Sequence, residues 1–413
     1  MSKHRLIGPS AWIVGVAGLV IGVGAAWLWN MGNPGNMGLC IACFNRDISG
    51  SFFGAGANMF GVAYIRPEIL GLFGGAIGAS LLTREFRPRG GSSVILRFVL
   101  GFIFMASSLI FLGCTVRAWL RLGGGDLNAL WGILGIVVGV SFGAVMLKKG
   151  YNLGRARQLG AVAGWTGPVI AMVLLVLALV WVSTGSAPAG LTVTPERAKS
   201  VNGAIVQDEQ GVVLRPEGAT LVDGTVVAAD GEVIADADAV QGAGRMPGGL
   251  RAPFIISILA GLALGVVAQR SRFCSVGGIR DVILVRRFDL LFAVIGLLVG
   301  ATVANMVFGQ YNLGFVGQPI AHTNALGNFS AMAVAGLAAI MLGGCPFRQV
   351  IMSGEGDADA TMAVVGMLAG AGFAHWGSVS STGAGLSQNA WPALGVMAVI
   401  LVAILFIKRE RVA

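Results

Sequence analysis

Two stretches of this 413-residue sequence share an uncommon frame. "GCTVRAWLRLGGGD" starts at Gly113 and "GCPFRQVIMSGEGD" at Gly344. Each has Gly-Cys, then Arg three residues after the Cys, then Gly, Gly and Asp at offsets nine, eleven and twelve from the Cys. A thiol is a weak hydrogen-bond donor with a soft, polarisable surface. It suits a partner exposing sulfur or selenium better than one exposing only hard oxygens. A guanidinium beside it supplies a permanent positive charge and a planar fork of donors. The pairing points to a small anion carrying a soft atom.

A second matching pair lies upstream of the first. "CIACFNRDI" begins at Cys40 and "CSVGGIRDV" at Cys274, and both place Arg-Asp six and seven residues after the Cys. The candidate pathway residues are therefore Cys40, Cys114, Cys274 and Cys345, with Cys43 as an extra thiol. Arg46, Arg117, Arg280 and Arg348 accompany them, and Asp47, Asp126, Asp281 and Asp357 are the expected partners that brace each arginine. A single cysteine is normally a small buried apolar group. Four in matching, Arg-flanked, Gly-rich segments ask for another explanation. Cys40-x-x-Cys43 also raises a redox or zinc reading, but no second C-x-x-C or Cys/His pair completes a zinc site. No metal and no cofactor are expected. His322 and His375 are scattered and read as packing residues.

These motifs need elements to hold them, and composition says where those elements lie. Charged residues make up only 11% of the chain, glycine occurs 65 times, and the mean hydropathy is +0.81. A bilayer-spanning helix takes roughly 20 mostly apolar residues, and glycine lets such helices approach closely or break where they line a cavity. The chain reads as an all-α polytopic membrane protein. Its formal charge of +9 is explained by basic loops, and no basic stripe with interleaved aromatics suggests nucleic acid.

Ten apolar runs are predicted, over 11–29, 67–82, 98–112, 130–147, 161–183, 253–268, 290–308, 329–342, 362–376 and 391–407. With the N-terminus inside, the inside segments hold Arg84, Arg87, Arg89 and Arg97, then Lys148, Lys149, Arg155 and Arg157, then Arg270, Arg272, Arg280, Arg286 and Arg287, and finally Lys408, Arg409 and Arg411. The outside loop 309–328 has neither Lys nor Arg. That asymmetry orients membrane proteins, so both termini are expected in the cytoplasm. The first run follows Lys3, His4 and Arg5 and continues without a small-x-small cleavage site, so it is expected to remain as a span.

The paired motifs divide the chain into two five-span repeats, residues 1–185 and 251–413. Five is odd, so the second repeat must enter the membrane upside down, the inverted-repeat plan of many transporters. Cys40 and Cys114 then approach from outside, Cys274 and Cys345 from inside. "NMGNPGNMG" and "RLGGGD" are rich in breakers and predict broken or re-entrant half-helices at the centre, whose exposed N–H groups favour an anion. The segment 186–250 holds nine of the 19 acidic residues. Its "AIVQDEQGVVL" and "GTVVAADGEVI" predict a small β-rich extracytoplasmic insert.

On "GNMGLCIACFNRD", "FLGCTVRAWLRLGGGD", "RFCSVGGIRD" and "LGGCPFRQVIMSGEGD", the chain resembles the YeeE/YedE family of bacterial inner-membrane proteins with sulfur-transport repeats. The likeness is nearest the YedE branch, which is associated with selenium. It covers both membrane halves and not the insert. The resemblance implies an hourglass-shaped inverted repeat in which an anion passes between cysteines. By motif position that role falls on Cys40, Cys114 and Cys345, with Cys274 a weaker match and Cys43 able to substitute for Cys40. The extra Cys43 and the long insert depart from the family pattern.

The expected function is uptake of a small sulfur or selenium compound across the bacterial inner membrane, a permease rather than an enzyme. The expected partners are the substrate, the lipid bilayer and a cytoplasmic sulfur or selenium carrier protein. Two other readings stay open: a membrane thiol-redox protein using Cys40 and Cys43, and a scaffold that delivers sulfur or selenium to a carrier.

Overall fold

The structure is a computed structural model that describes residues 8, 11–53, 64–154, 156–184, 220–222, 225–227, 233–235 and 251–408. Lys3, His4, Arg5, Arg155, Arg409, Arg411 and most of the insert, including "AIVQDEQGVVL", lie outside the described residues. The chain is mostly helical. The first half runs α1 (Ala11–Asn30), α2 (Ile41–Phe53), α3 (Pro67–Leu82), α4 (Val94–Phe111), α5 (Thr115–Gly123), α6 (Ala129–Lys148) and α7 (Ala161–Thr184). The second runs α8 (Phe254–Ser271), α9 (Ser275–Val285), α10 (Asp289–Val307), α11 (Ala325–Leu342), α12 (Pro346–Gly354), α13 (Ala358–Trp376) and α14 (Ala390–Ile407). Both halves run in the same order of helix lengths: long, short, long, long, short, long, long.

Each of the ten predicted apolar runs falls on one of these helices. Among the described residues, eight stretches are long and apolar enough to cross a membrane. Three of them take in a short helix as well: Val94–Gly123, Phe254–Val285 and Ala325–Gly354. The 67–82 run is shorter, at 16 residues, and the 362–376 run is not among the eight. Both helices begin on buried acids, Glu68 in α3 and Asp359 in α13, because their N-terminal turns sit inside the bundle.

The breaks follow one local grammar. α4 ends on Leu112 at φ 64, α8 on Arg272 at φ 57 and α11 on Gly343 at φ 89, all left-handed. The next amide then bonds back five residues: Gly113 N to Ser108 O at 2.9 Å, Phe273 N to Ala268 O at 3.3 Å, and Gly344 N to Ala339 O at 3.0 Å. This is the Schellman closure of a helix end. A cysteine follows at once in extended conformation and opens the next helix: Cys114 for α5, Cys274 for α9 and Cys345 for α12. Two of the three left-handed positions are not glycine, which costs about 1–2 kcal/mol each. The bend is kept at positions that place a thiol.

Glycine accounts for the packing of the long helices. The principal interfaces are α1 with α10, α3 with α8, α6 with α11 and α4 with α13. Gly18 and Gly22 on α1 face Gly296 and Gly300 on α10; a Cβ on any of the four would lie 1.9–2.4 Å from a backbone oxygen of the opposite helix. Gly71 and Gly75 on α3 meet Gly261 and Gly265 on α8 in the same way. Gly135 and Gly139 on α6, and Gly366 and Gly370 on α13, lie as closely against α11 and α4. Spacing by four residues is the small-xxx-small pattern that lets membrane helices touch backbone to backbone. Gly22→Val is expected to destabilise the protein by about 2–3 kcal/mol or more through overpacking, read as a fall in unfolding temperature in detergent. An unchanged temperature would contradict this contact.

Two small sheets complete the described fold. β1 (Arg89–Gly90) pairs antiparallel with β2 (Arg157–Gln158). Within the insert, β3 (Thr220–Val222), β4 (Thr225–Val227) and β5 (Val233–Ala235) form an antiparallel meander, with Leu221 opposite Val226 and Val226 opposite Ala235.

Candidate functional site

Four short helices, α2, α5, α9 and α12, bring all five cysteines into the buried interior. Ser, Thr, Asp or Asn usually caps a helix start; here thiols do so. Cys274 Sγ accepts from Gly277 N at 3.2 Å and Cys345 Sγ from Arg348 N at 3.5 Å. Cys40, just ahead of α2, accepts from Cys43 N at 3.3 Å. The sequence thus uses one residue both to start each half-helix and to present sulfur.

The thiols gather in two clusters. In the first half, Cys40 Sγ lies 2.9 Å from Cys43 Sγ and 3.9 Å from Cys114 Sγ. In the second, the Cys345 amide donates to Cys274 Sγ at 3.3 Å, and Phe273 and Phe347 meet edge to face beside them with centroids 5.6 Å apart. The clusters adjoin through the residues that follow two of the cysteines: Thr115 and Ser275 share a hydroxyl hydrogen bond of 3.0 Å, both buried.

Arg117 serves the first cluster. Its side chain is fully buried, and Nη1 donates to Cys43 Sγ at 3.3 Å and also to Leu112 O. Nε donates to Asn36 O at 3.2 Å, and Nη2 to Gly35 O and Ile320 O, both at 3.3 Å. Every one of these acceptors is uncharged, and no carboxylate among the described residues forms an ion pair with it. The expected Arg117–Asp126 pair does not form. Asp126 is taken by Arg121 at 2.6 Å, whose guanidinium also lies over the Phe111 ring at 4.3 Å. Four residues on from Arg117, Arg121 lies one helical turn closer to Asp126.

The second half solves the same problem differently. Met352 stands where the first copy has Arg121, so Asp357 needs a cation from elsewhere. Arg89, from the opposite half, supplies it at 2.7 Å. The expected Arg348–Asp357 pair is therefore also replaced. Arg348 forms a forked pair with Glu355, at 2.9 and 3.1 Å. The other two expected pairs form: Arg46 with Asp47 at 2.9 Å, buried, and Arg280 with Asp281 at 2.8 Å, about one-third exposed. Asp47 also receives Arg66 at 2.6 Å. Near the second-half rim, Glu85 is held below the usual carboxylate range by its hydrogen bond from Gln269, helped by Arg270 and Arg272.

Sequence reasoning missed Arg66, Arg89, Arg121 and Glu355. Two of these left a mark, as the positions where the duplicated frames disagree: Arg121 against Met352, and Gly124 against Glu355. His322 Nε2 lies 2.9 Å from Ile110 O in a packed setting. Among the described residues, no group of three or more His, Cys, Asp or Glu side chains could hold a metal ion.

The arrangement offers thiol surfaces and backbone-cradled positive charge in a buried interior. An arginine buried in a membrane protein is costly and marks a functional site by default. No curated protein matches the chain. Residues 270–411, which include Cys274, Cys345, Arg348 and Glu355, match the model of the sulphur transport family. With its eight membrane-length apolar stretches among the described residues, the chain is a multi-pass membrane protein whose residues 270–411 are similar to the sulphur transport family.

Proposed function

We propose that the protein is an inner-membrane permease that takes up a small anion exposing sulfur or selenium, a thiosulfate-like ion or a selenium oxyanion, by passing it between the two cysteine clusters. The observation that carries this reading is Arg117: a buried guanidinium, held by neutral carbonyls, bonded to a thiol of a three-cysteine cluster. Among the described residues no carboxylate pairs with its charge, and an anion would do so. The halves enter the bilayer in opposite orientation, with both termini cytoplasmic. The reciprocal helix pairs support this, since α1 packs on α10 as α8 packs on α3, and α4 on α13 as α11 on α6. Cys40, Cys43 and Cys114 then face the outside approach, and Cys274 and Cys345 the cytoplasm, where a carrier protein could receive the cargo. The test is uptake of labelled thiosulfate and of labelled selenite into proteoliposomes holding the purified chain. No uptake of either would sink the permease reading.

The 2.9 Å approach of Cys40 and Cys43 favours one rival, a thiol-redox protein. The same vesicles separate the two. For a permease, Cys43→Ser should lower uptake no more than about tenfold, roughly 1.4 kcal/mol, because Cys40 and Cys114 remain. A dithiol redox protein would lose all activity with either cysteine of the pair.

A further inference from the structure

The duplicated frames differ at a position that decides the charge of each cluster. Gly124 in the first half corresponds to Glu355 in the second. A Cβ at 124 would lie 2.3 Å from Asn36 Oδ1, so a side chain there would require Asn36 to move. Glu355, by contrast, is 1% exposed and takes both prongs of the Arg348 fork. It also lies 3.1 Å from Arg89 and 3.8 Å from Arg272. Arg117 and Arg348 occupy the same place relative to their cysteines, yet of the two, among the described residues, only Arg348 has a carboxylate partner.

An anion beside Arg117 meets unopposed positive charge. An anion beside Arg348 meets a guanidinium already bonded to a carboxylate, whose own charge repels it. Two such sites in series bind with unequal strength. If both were bare, the ion would be held at each and turnover would be limited by the second release.

We propose that Glu355 is a release residue: by neutralising Arg348 it keeps the second-half cluster weak for anions, so that an ion accepted at the Arg117 cluster is not trapped on its way out. This rests on the permease reading above. The asymmetry sets occupancy and turnover, not the sense of net flux, which the substrate gradient decides. Glu355 acts through Arg348 and is a positioning residue.

The test uses the full chain in nanodiscs for equilibrium binding of thiosulfate and of selenite, and in proteoliposomes for uptake of each. Glu355→Gln is expected to tighten binding about tenfold or more, roughly 1.4 kcal/mol, and to slow uptake at saturating substrate. A folding lesion would weaken binding instead. The double variant Arg348→Gln/Glu355→Gln removes one charge of each sign and so keeps the net charge of the native second site. It is expected to bind either anion at least about tenfold more weakly than E355Q, roughly 1.4 kcal/mol, because the bared guanidinium is gone. Unchanged or weaker binding by folded E355Q overturns the assignment. Should E355Q not fold, a folded double variant that binds either anion about tenfold more tightly than wild type overturns it equally. A wild-type protein that neither binds nor transports either anion removes the permease reading and this inference together. Normal wild-type transport with E355Q indistinguishable from it removes this inference alone.

Discussion

Cys114→Ser is expected to abolish uptake of a sulfur-bearing anion while leaving the protein folded. Cys114 Sγ stands 3.9 Å from Cys40 Sγ, and Cys114 occupies the N-cap position of α5, one residue from the Thr115–Ser275 contact between the clusters. A serine hydroxyl is nearly isosteric and can cap a helix at least as well. If the thiol only filled space, the change would cost about 1–3 kcal/mol of stability for a buried polar group and little transport. If it meets the soft atom of the substrate, losing about 2–4 kcal/mol at the barrier slows uptake roughly 30- to 1000-fold. Cys345→Ser, the matching thiol of the second cluster, should behave alike. The measurement is labelled thiosulfate uptake into proteoliposomes, with unfolding temperature followed alongside. Normal uptake by the Cys114→Ser/Cys345→Ser double variant would exclude passage between the cysteines.

Arg117→Ala is the second large effect expected, and comparison with Arg117→Lys separates two roles. As a staple, Arg117 ties together Gly35, Asn36, Leu112 and Ile320 through their carbonyls. Removing it leaves buried acceptors unpaired, at about 1–3 kcal/mol for each one that water cannot reach. As the cation of the first cluster, it supplies the charge an anion needs. Lysine keeps the charge but reaches fewer carbonyls, since an ammonium lacks the planar fork. The alanine variant should therefore lose at least about 100-fold in uptake, near 2.7 kcal/mol, and the lysine variant much less, although both unfold at lower temperature. Equal loss of uptake in the two variants would make Arg117 a structural staple only.

Much of this protein is determined by its sequence alone. Apolar runs of membrane length set the helices, because a bilayer offers backbone polar groups no other partner. The duplicated Gly-Cys-x-x-Arg and Cys-x5-Arg-Asp frames marked four of the five buried cysteines, and left-handed closure followed by an extended cysteine, which starts three of the short helices, is a local property. Short-range ion pairs were legible for the same reason: Arg46 with Asp47 and Arg280 with Asp281 are chain neighbours. What only the tertiary structure decided is the charge balance around those cysteines. Asp126 goes to Arg121 and Asp357 to Arg89, so Arg117 is left with carbonyls and a thiol while Arg348 takes Glu355. Arg89 and Asp357 lie in opposite halves, as do Arg117 and Ile320 O. Those contacts depend on how close glycine lets the long helices pack, and a guanidinium takes whichever acceptor the packed backbone brings within reach.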